Sequence, residues 1–304
     1  MVVINQGKYE RIIVAVLALL PSVVVTLMIA GYWMKRWFPW WSDGGNWLKH
    51  TNAILGNAYP MWNEGTYQYP PLFFILLAFL KMLTDDSLFS LKMLALLSFF
   101  FFPTSMYCLA NGFYGSPYAG VVAAWLTAFF PLFLEYMGWG GYPNILGFTI
   151  LSLAFRFTIK FVEHGRLRDG VIASFLAVAV TLVHHLTTLI MFGTLVFWVL
   201  LSVLARSKGW KRVVVVFAVS LLAFVAYRLL LAWPSDFVLF NEAAYYRLRF
   251  NLNLQYIFKT APLAVLFAIS CVLGALFQLR GKIAGFKFVF LIAWLLVLVL
   301  GTQG

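Results

Sequence analysis

Charge is what this sequence has least of. Only 11% of its 304 residues are Asp, Glu, Lys or Arg, against about 25% in ordinary soluble domains. With 63% hydrophobic residues and a mean hydropathy of +0.90, that deficit excludes a soluble globular domain and leaves a polytopic membrane protein. Acidic residues are the scarcest charged class, ten against 22 basic ones, giving a net charge of +12. In a soluble protein such a balance would point to nucleic acid; here the basic residues read first as topology markers, and nucleic acid is not an expected partner. Cysteine is nearly absent: Cys108 and Cys271 lie inside apolar runs, which excludes a disulfide framework, a zinc ribbon or a redox CxxC pair. No small-residue cleavage pattern accompanies the first apolar stretch, Ile12 to Trp33, and it is too long for a signal-peptide core. It reads as a retained anchor.

Long apolar runs are what the chain has in their place, at about 12–33, 71–84, 87–110, 118–134, 144–162, 170–186, 187–205, 213–233, 261–278 and 286–301. Roughly eight are long enough for a hydrocarbon core of about 30 Å. The linkers Glu163–Asp169, Arg206–Arg212 and Arg280–Lys287 are basic and alternate with less basic turns, so the basic set is expected in the cytoplasm together with the N-terminus. That orientation puts 13 of the 22 Lys and Arg residues inside. It also leaves three runs between two external segments, 34–70 and 135–143, where an even number of crossings is required. The run Pro71–Thr84, short, opening on two prolines and ending in Asp85-Asp86, is the one expected to be re-entrant or interfacial. The fold class expected is therefore all-α, a single transmembrane domain over 1–304 with about nine crossing helices and one short non-crossing segment.

Polar chemistry concentrates in the first external loop, 34–70. Asp43 precedes a helix-like segment, Asn46 to Leu55, with Trp47 at i+4 and His50 at i+7 on the same face. Tyr69 and several other aromatics crowd that loop, suited either to the membrane interface or to stacking on sugar faces. Asp43 reads as a catalytic carboxylate or as a helix N-cap. Further along, Glu135 stands before a triple-glycine turn, Glu135–Pro143, of the kind that lets a ligand approach the backbone. His184-His185 falls at a helical hairpin, where phosphate or headgroup binding, hairpin hydrogen bonding and metal ligation all stay open. Arg228 lies within an apolar run and Arg247 in the segment after it; an arginine at that depth is a functional candidate, with snorkelling as the plainer reading. Asp85-Asp86 reads as a cap for the following helix.

An acidic residue soon after the first membrane helix, a loop running through an amphipathic segment into YPPLFF at Tyr69–Phe74, and a second external acidic residue at Glu135 resemble the GT-C glycosyltransferases. Within that superfamily they are most similar to the protein O-mannosyltransferase and aminoarabinose-transferase branch. The resemblance covers about residues 10–165. It implies a GT-C-like core and a transferase that moves a sugar from a polyprenyl-phosphate carrier to an acceptor outside the cell membrane, with Asp43 and Glu135 as the catalytic carboxylates. The chain ends at Gly304, where many such relatives continue, so it reads either as a compact version or as the front portion of a longer protein.

The chemistry of the residues is compatible with that reaction. A single displacement needs a base for the acceptor hydroxyl, and cationic groups for the departing phosphate. Asp43 is the expected base and Glu135 the orienting carboxylate; His50, His184, His185, Arg228, Arg247, Trp47 and Tyr69 are the expected substrate contacts. No cofactor is identified from the sequence, and a divalent metal is left open. The expected partners are the lipid-linked sugar and membrane lipids, with the acceptor unspecified. The rival classes are a transporter or flippase for a lipid-linked or small polar solute, using the same groups along a pathway, and a non-catalytic membrane subunit. The topology is directly testable: cysteines placed at Gly165 and Gly209 should resist a membrane-impermeant thiol reagent in intact cells while one at Gly138 reacts, and the opposite pattern inverts the orientation.

Overall fold

The computed structural model describes residues 6–34, 43–56, 69–129, 141–204 and 209–232. All regular structure among them is helical: α1 (Gln6–Met34), α2 (Asp43–Leu55), α3 (Leu72–Thr84), α4 (Ser87–Tyr114), α5 (Pro117–Ala128), α6 (Tyr142–His164), α7 (Leu167–Val183), α8 (His185–Leu204) and α9 (Trp210–Tyr227), followed by one π-helical turn, Arg228–Ala232. The boundaries follow from local chemistry. Prolines stand in the first turns of α5 and α6, where a missing N–H costs nothing. Left-handed Gly115 and Gly165 end α4 and α6, a conformation open to glycine at little steric cost. Asp86 caps α4, its Oδ1 accepting from the Leu88 and Phe89 backbone N–H groups at 2.8 and 3.0 Å, the capping role its position suggested.

Five described helices are long and apolar enough to cross a membrane: α1, α4, α6, α8 and α9 with its π turn. About nine crossings were expected over the whole chain; five are shown among the described residues. α3 and α5 have 13 and 12 residues, rising about 20 Å, short of a core of about 30 Å; α7 has 17 residues. The two apolar runs beyond residue 233 lie outside the described residues. One boundary is corrected: α2 starts at Asp43 itself rather than at Asn46, a position where a carboxylate is favoured by the helix dipole.

α6 is the central helix, packed on α4 and α7; α7 also meets α9, and α1 lies across α4 and α5. Two apolar cores result. One, around Trp198, Phe155 and Val180, joins α6, α7, α8 and α9; the other, around Trp33, Phe73, Phe99 and Tyr142, joins α1, α3, α4 and α6. α4 and α6 run parallel, pairing Phe102 with Phe148 at 6.2 Å between ring centroids and Met106 with Ser152. At one end of the bundle Arg212 donates to the Phe161 and Val162 carbonyls at 3.2 and 2.7 Å, tying α9 to the C-terminus of α6 and satisfying carbonyls that the helix leaves open. Lys160, Arg166, Arg168 and Lys211 gather there. The α7–α8 junction and the end of α9 lie at the opposite end.

The Asp86 cap yields the first stability prediction. Asp86→Ala should cost about 1 kcal/mol and lower the thermal midpoint of the purified protein, whereas Asp86→Asn, an equally good cap, should leave it nearly unchanged.

Candidate functional site

One residue separates α7 from α8. His184 adopts an extended conformation (φ −158°, ψ 138°), so the chain reverses between two helices and the two adjacent imidazoles do not share one continuous helix. The reversal is held by hydroxyls: Thr187 and Thr188 both donate to the His184 carbonyl, at 2.9 and 2.8 Å. It is also packed tightly from outside, since a Cβ at Gly147 of α6 would lie 2.6 Å from Thr187 Oγ1. Both histidines end up buried, 4% exposed.

Hydrogen bonding assigns each ring its role. The Leu186 backbone N–H donates to His184 Nδ1 at 3.2 Å. Arg228 Nη2 lies 3.4 Å from His185 Nδ1, and a guanidinium can only donate. Each Nδ1 is therefore an acceptor, and each neutral ring carries its proton on Nε2. The pair thus places two imidazole N–H groups beside a fixed cation. Arg228 is held by more than His185: its Cζ lies 5.5 Å from the centroid of Phe224 and 5.7 Å from that of Tyr227, both within cation–π range. Its buried Nε has no hydrogen-bond partner among the described residues. The π turn that begins at Arg228 is a local widening of the kind found often at functional sites.

Tyr69 bridges this end of the bundle to the first loop. Its ring lies 6.0 Å from His184 and 5.5 Å from His185. On its other side stand Trp47 at 4.8 Å and His50 at 6.1 Å, and His50 stacks on Phe74 at 4.9 Å. The structure therefore brings together six of the residues singled out from sequence: Trp47, His50, Tyr69, His184, His185 and Arg228. Trp47 is 3% exposed and packs within the protein rather than at a lipid interface. Asp43 opens α2, one turn before Trp47. Glu135 and Arg247 lie outside the described residues. Asn144, which sequence reasoning passed over, is buried in the first turn of α6 with no partner for its Oδ1 among the described residues; an amide just after Pro143 at the head of an apolar helix was the available signal. Among the described residues no group of three or more His, Cys, Asp or Glu side chains is placed to hold a metal, and the Nδ1 atoms of the histidine pair are already engaged.

A family model described as 6-pyruvoyl-tetrahydropterin synthase related domain, membrane protein, matches residues 66–303. The chain belongs to this family. No curated protein matches it. The family match overturns the GT-C resemblance: it begins at the very end of the 34–70 loop on which much of that resemblance rested and extends through the helices beyond it. A Pro-Pro-Leu-aromatic entry into a membrane-associated helix and isolated loop carboxylates are features that any loop feeding an apolar helix can present.

The tight seat of the α7–α8 reversal predicts that Gly147→Val, which drives a branched side chain into Thr187, lowers the thermal midpoint of the purified protein. Gly31→Val, where nothing lies within 4 Å of a new Cβ, should leave it nearly unchanged.

Proposed function

We propose that this chain is a membrane enzyme that takes a sugar from a polyprenyl-phosphate carrier and passes it to an acceptor at the His184–Arg228 end of the bundle. The observation that carries this reading is the contact of Arg228 with His185 Nδ1, with His184 alongside, because it joins a cation and two N–H donors next to the membrane span. A lipid phosphate has its charge and its hydrocarbon at that same boundary. Donors fixed in a site shielded from water stabilise a departing phosphate more than mobile solvent does.

The aromatic group supports the sugar half of the reading. Tyr69 and Trp47 lie against the histidines and each other, and such rings present apolar faces beside a polar edge. In the proposed step the acceptor oxygen forms a bond to the anomeric carbon, and the bond from that carbon to the phosphate oxygen breaks with its electron pair leaving on phosphate. The acceptor proton goes to a carboxylate. Asp43, at the head of the helix that carries Trp47 and His50, is the proposed base, and Glu135 the proposed orienting group. The charge distribution supports placing this end outside and the N-terminus in the cytoplasm.

Asp43→Asn tests the reading. It keeps the size of the side chain and its compatibility with a helix N-terminus, but removes the base. Transfer from a polyprenyl-phosphate sugar should fall by roughly 100-fold or more while carrier binding survives. Wild-type protein that binds the carrier and moves it between leaflets without any transfer would point to a flippase; Asp43→Asn with normal transfer would remove the base from Asp43.

A further inference from the structure

A second feature lies on the opposite half of the bundle, between α4 and α6. A cavity of about 360 Å³ runs along the two helices, walled by Leu94, Leu97, Phe101, Cys108, Leu146 and Leu153. It opens sideways past Phe101, which is 50% exposed, and Leu97, which is 39% exposed. Hydroxyls in its walls are turned away from it: Ser98 donates to the Leu94 carbonyl, Ser105 to that of Phe102 and Thr149 to that of Ile145. The groove therefore offers carbon, not hydrogen bonds, to whatever fills it. From Leu94 to Cys108 it follows α4 for about 21 Å, more than half of a hydrocarbon core of about 30 Å.

One turn beyond its lower wall the groove meets charge. Arg156 follows Leu153 by one turn on α6, and its guanidinium lies over the bare backbone of Gly112, one turn beyond Cys108 on α4. A side chain at Gly112 would occupy the place of the guanidinium. Lys160 follows one turn later, its Nζ over the Phe157 ring at 5.1 Å. Arg156 sits eight residues before the end of α6 at His164, about 12 Å along the axis. That depth is costly for a cation. The carboxylates of Glu163 and Asp169 and the thiol of Cys108 are within electrostatic range of it.

We infer that this groove binds one anionic phospholipid, with an acyl chain along α4 and α6 and the headgroup phosphate on Arg156 and Lys160. Charge complementarity selects the occupant: a zwitterionic lipid fills the groove equally well but brings no net charge to the guanidinium, whereas an anionic phosphate offers Arg156 paired, charge-assisted hydrogen bonds. The site is separate from the His184–Arg228 cluster and does not depend on the function proposed for it.

The test uses the full chain in phosphatidylcholine nanodiscs doped with phosphatidylglycerol carrying a photoreactive acyl chain, with adducts mapped by peptide mass spectrometry. Adducts are expected on the segments 94–108 and 146–153. Arg156→Gln should reduce them by about fivefold or more, and Leu153→Trp, which fills the groove and leaves the charges in place, should reduce them as well. Arg166→Gln, at the same end but off the groove, should not. Equal labelling by photoreactive phosphatidylcholine, adducts spread over α1 and α8, or an equal loss in Arg166→Gln would overturn the inference. If Arg156→Gln does not fold, undiminished labelling in Leu153→Trp overturns it on its own.

Discussion

Arg228 imposes the constraint around which this end of the molecule is organised. A guanidinium beside a membrane span must be supplied with acceptors and polarisable surface or it will not stay. His185 Nδ1 supplies an acceptor, and the Phe224 and Tyr227 rings supply the surface. Those contacts leave the buried Arg228 Nε without a partner among the described residues, so the arrangement is stable enough to form and retains the capacity to receive an anion. A hydrophobic replacement would serve packing better; a cation in this place is more readily understood as serving a ligand.

The rest of the local structure keeps that arrangement in register. A helix that ran straight through His184-His185 would aim the two rings about 100° apart. Breaking it at His184 and fastening the break with Thr187 and Thr188 turns a sequence repeat into a buried pair. Gly147 then lets α6 close on the reversal. Tyr69, just before Pro70-Pro71, where a following proline disfavours helix, carries the contact across to α2, so residues from the first loop, the α7–α8 junction and the end of α9 meet although they are far apart in sequence.

How much of this was legible in the sequence depended on the distance over which each signal acts. Helix class and most helix limits follow from local hydropathy and from Pro117, Pro143, Gly115 and Gly165, so they were readable. The Asp86 cap was readable for the same reason. The short run ending in Asp85-Asp86 was readable as a segment too short to cross, and α3 has 13 residues; the length of α5 was not, because the apolar run 118–134 continues past the point where the helix ends at Ala128. The candidate residues Trp47, His50, Tyr69, His184, His185 and Arg228 could be named because polar or aromatic side chains stand out against an apolar background, yet their meeting rests on long-range packing of α2, α3, α7, α8 and α9. Asn144 escaped notice because one amide in a helix start looks like turn chemistry until its burial is known. The family resemblance misled because short proline and carboxylate patterns around 43–74 are common to many membrane loops.

The central claim is that the buried cluster around Arg228 recognises a phosphate at the membrane boundary. It is tested most directly by comparing the affinity of the purified chain for a polyprenyl monophosphate with that for the matching uncharged polyprenol, in wild type and in Arg228→Gln. The wild type should prefer the phosphate by about tenfold or more, and the preference should disappear in Arg228→Gln while affinity for the alcohol stays the same. Equal affinity for both lipids in the wild type, or a preference that persists without Arg228, would contradict the account.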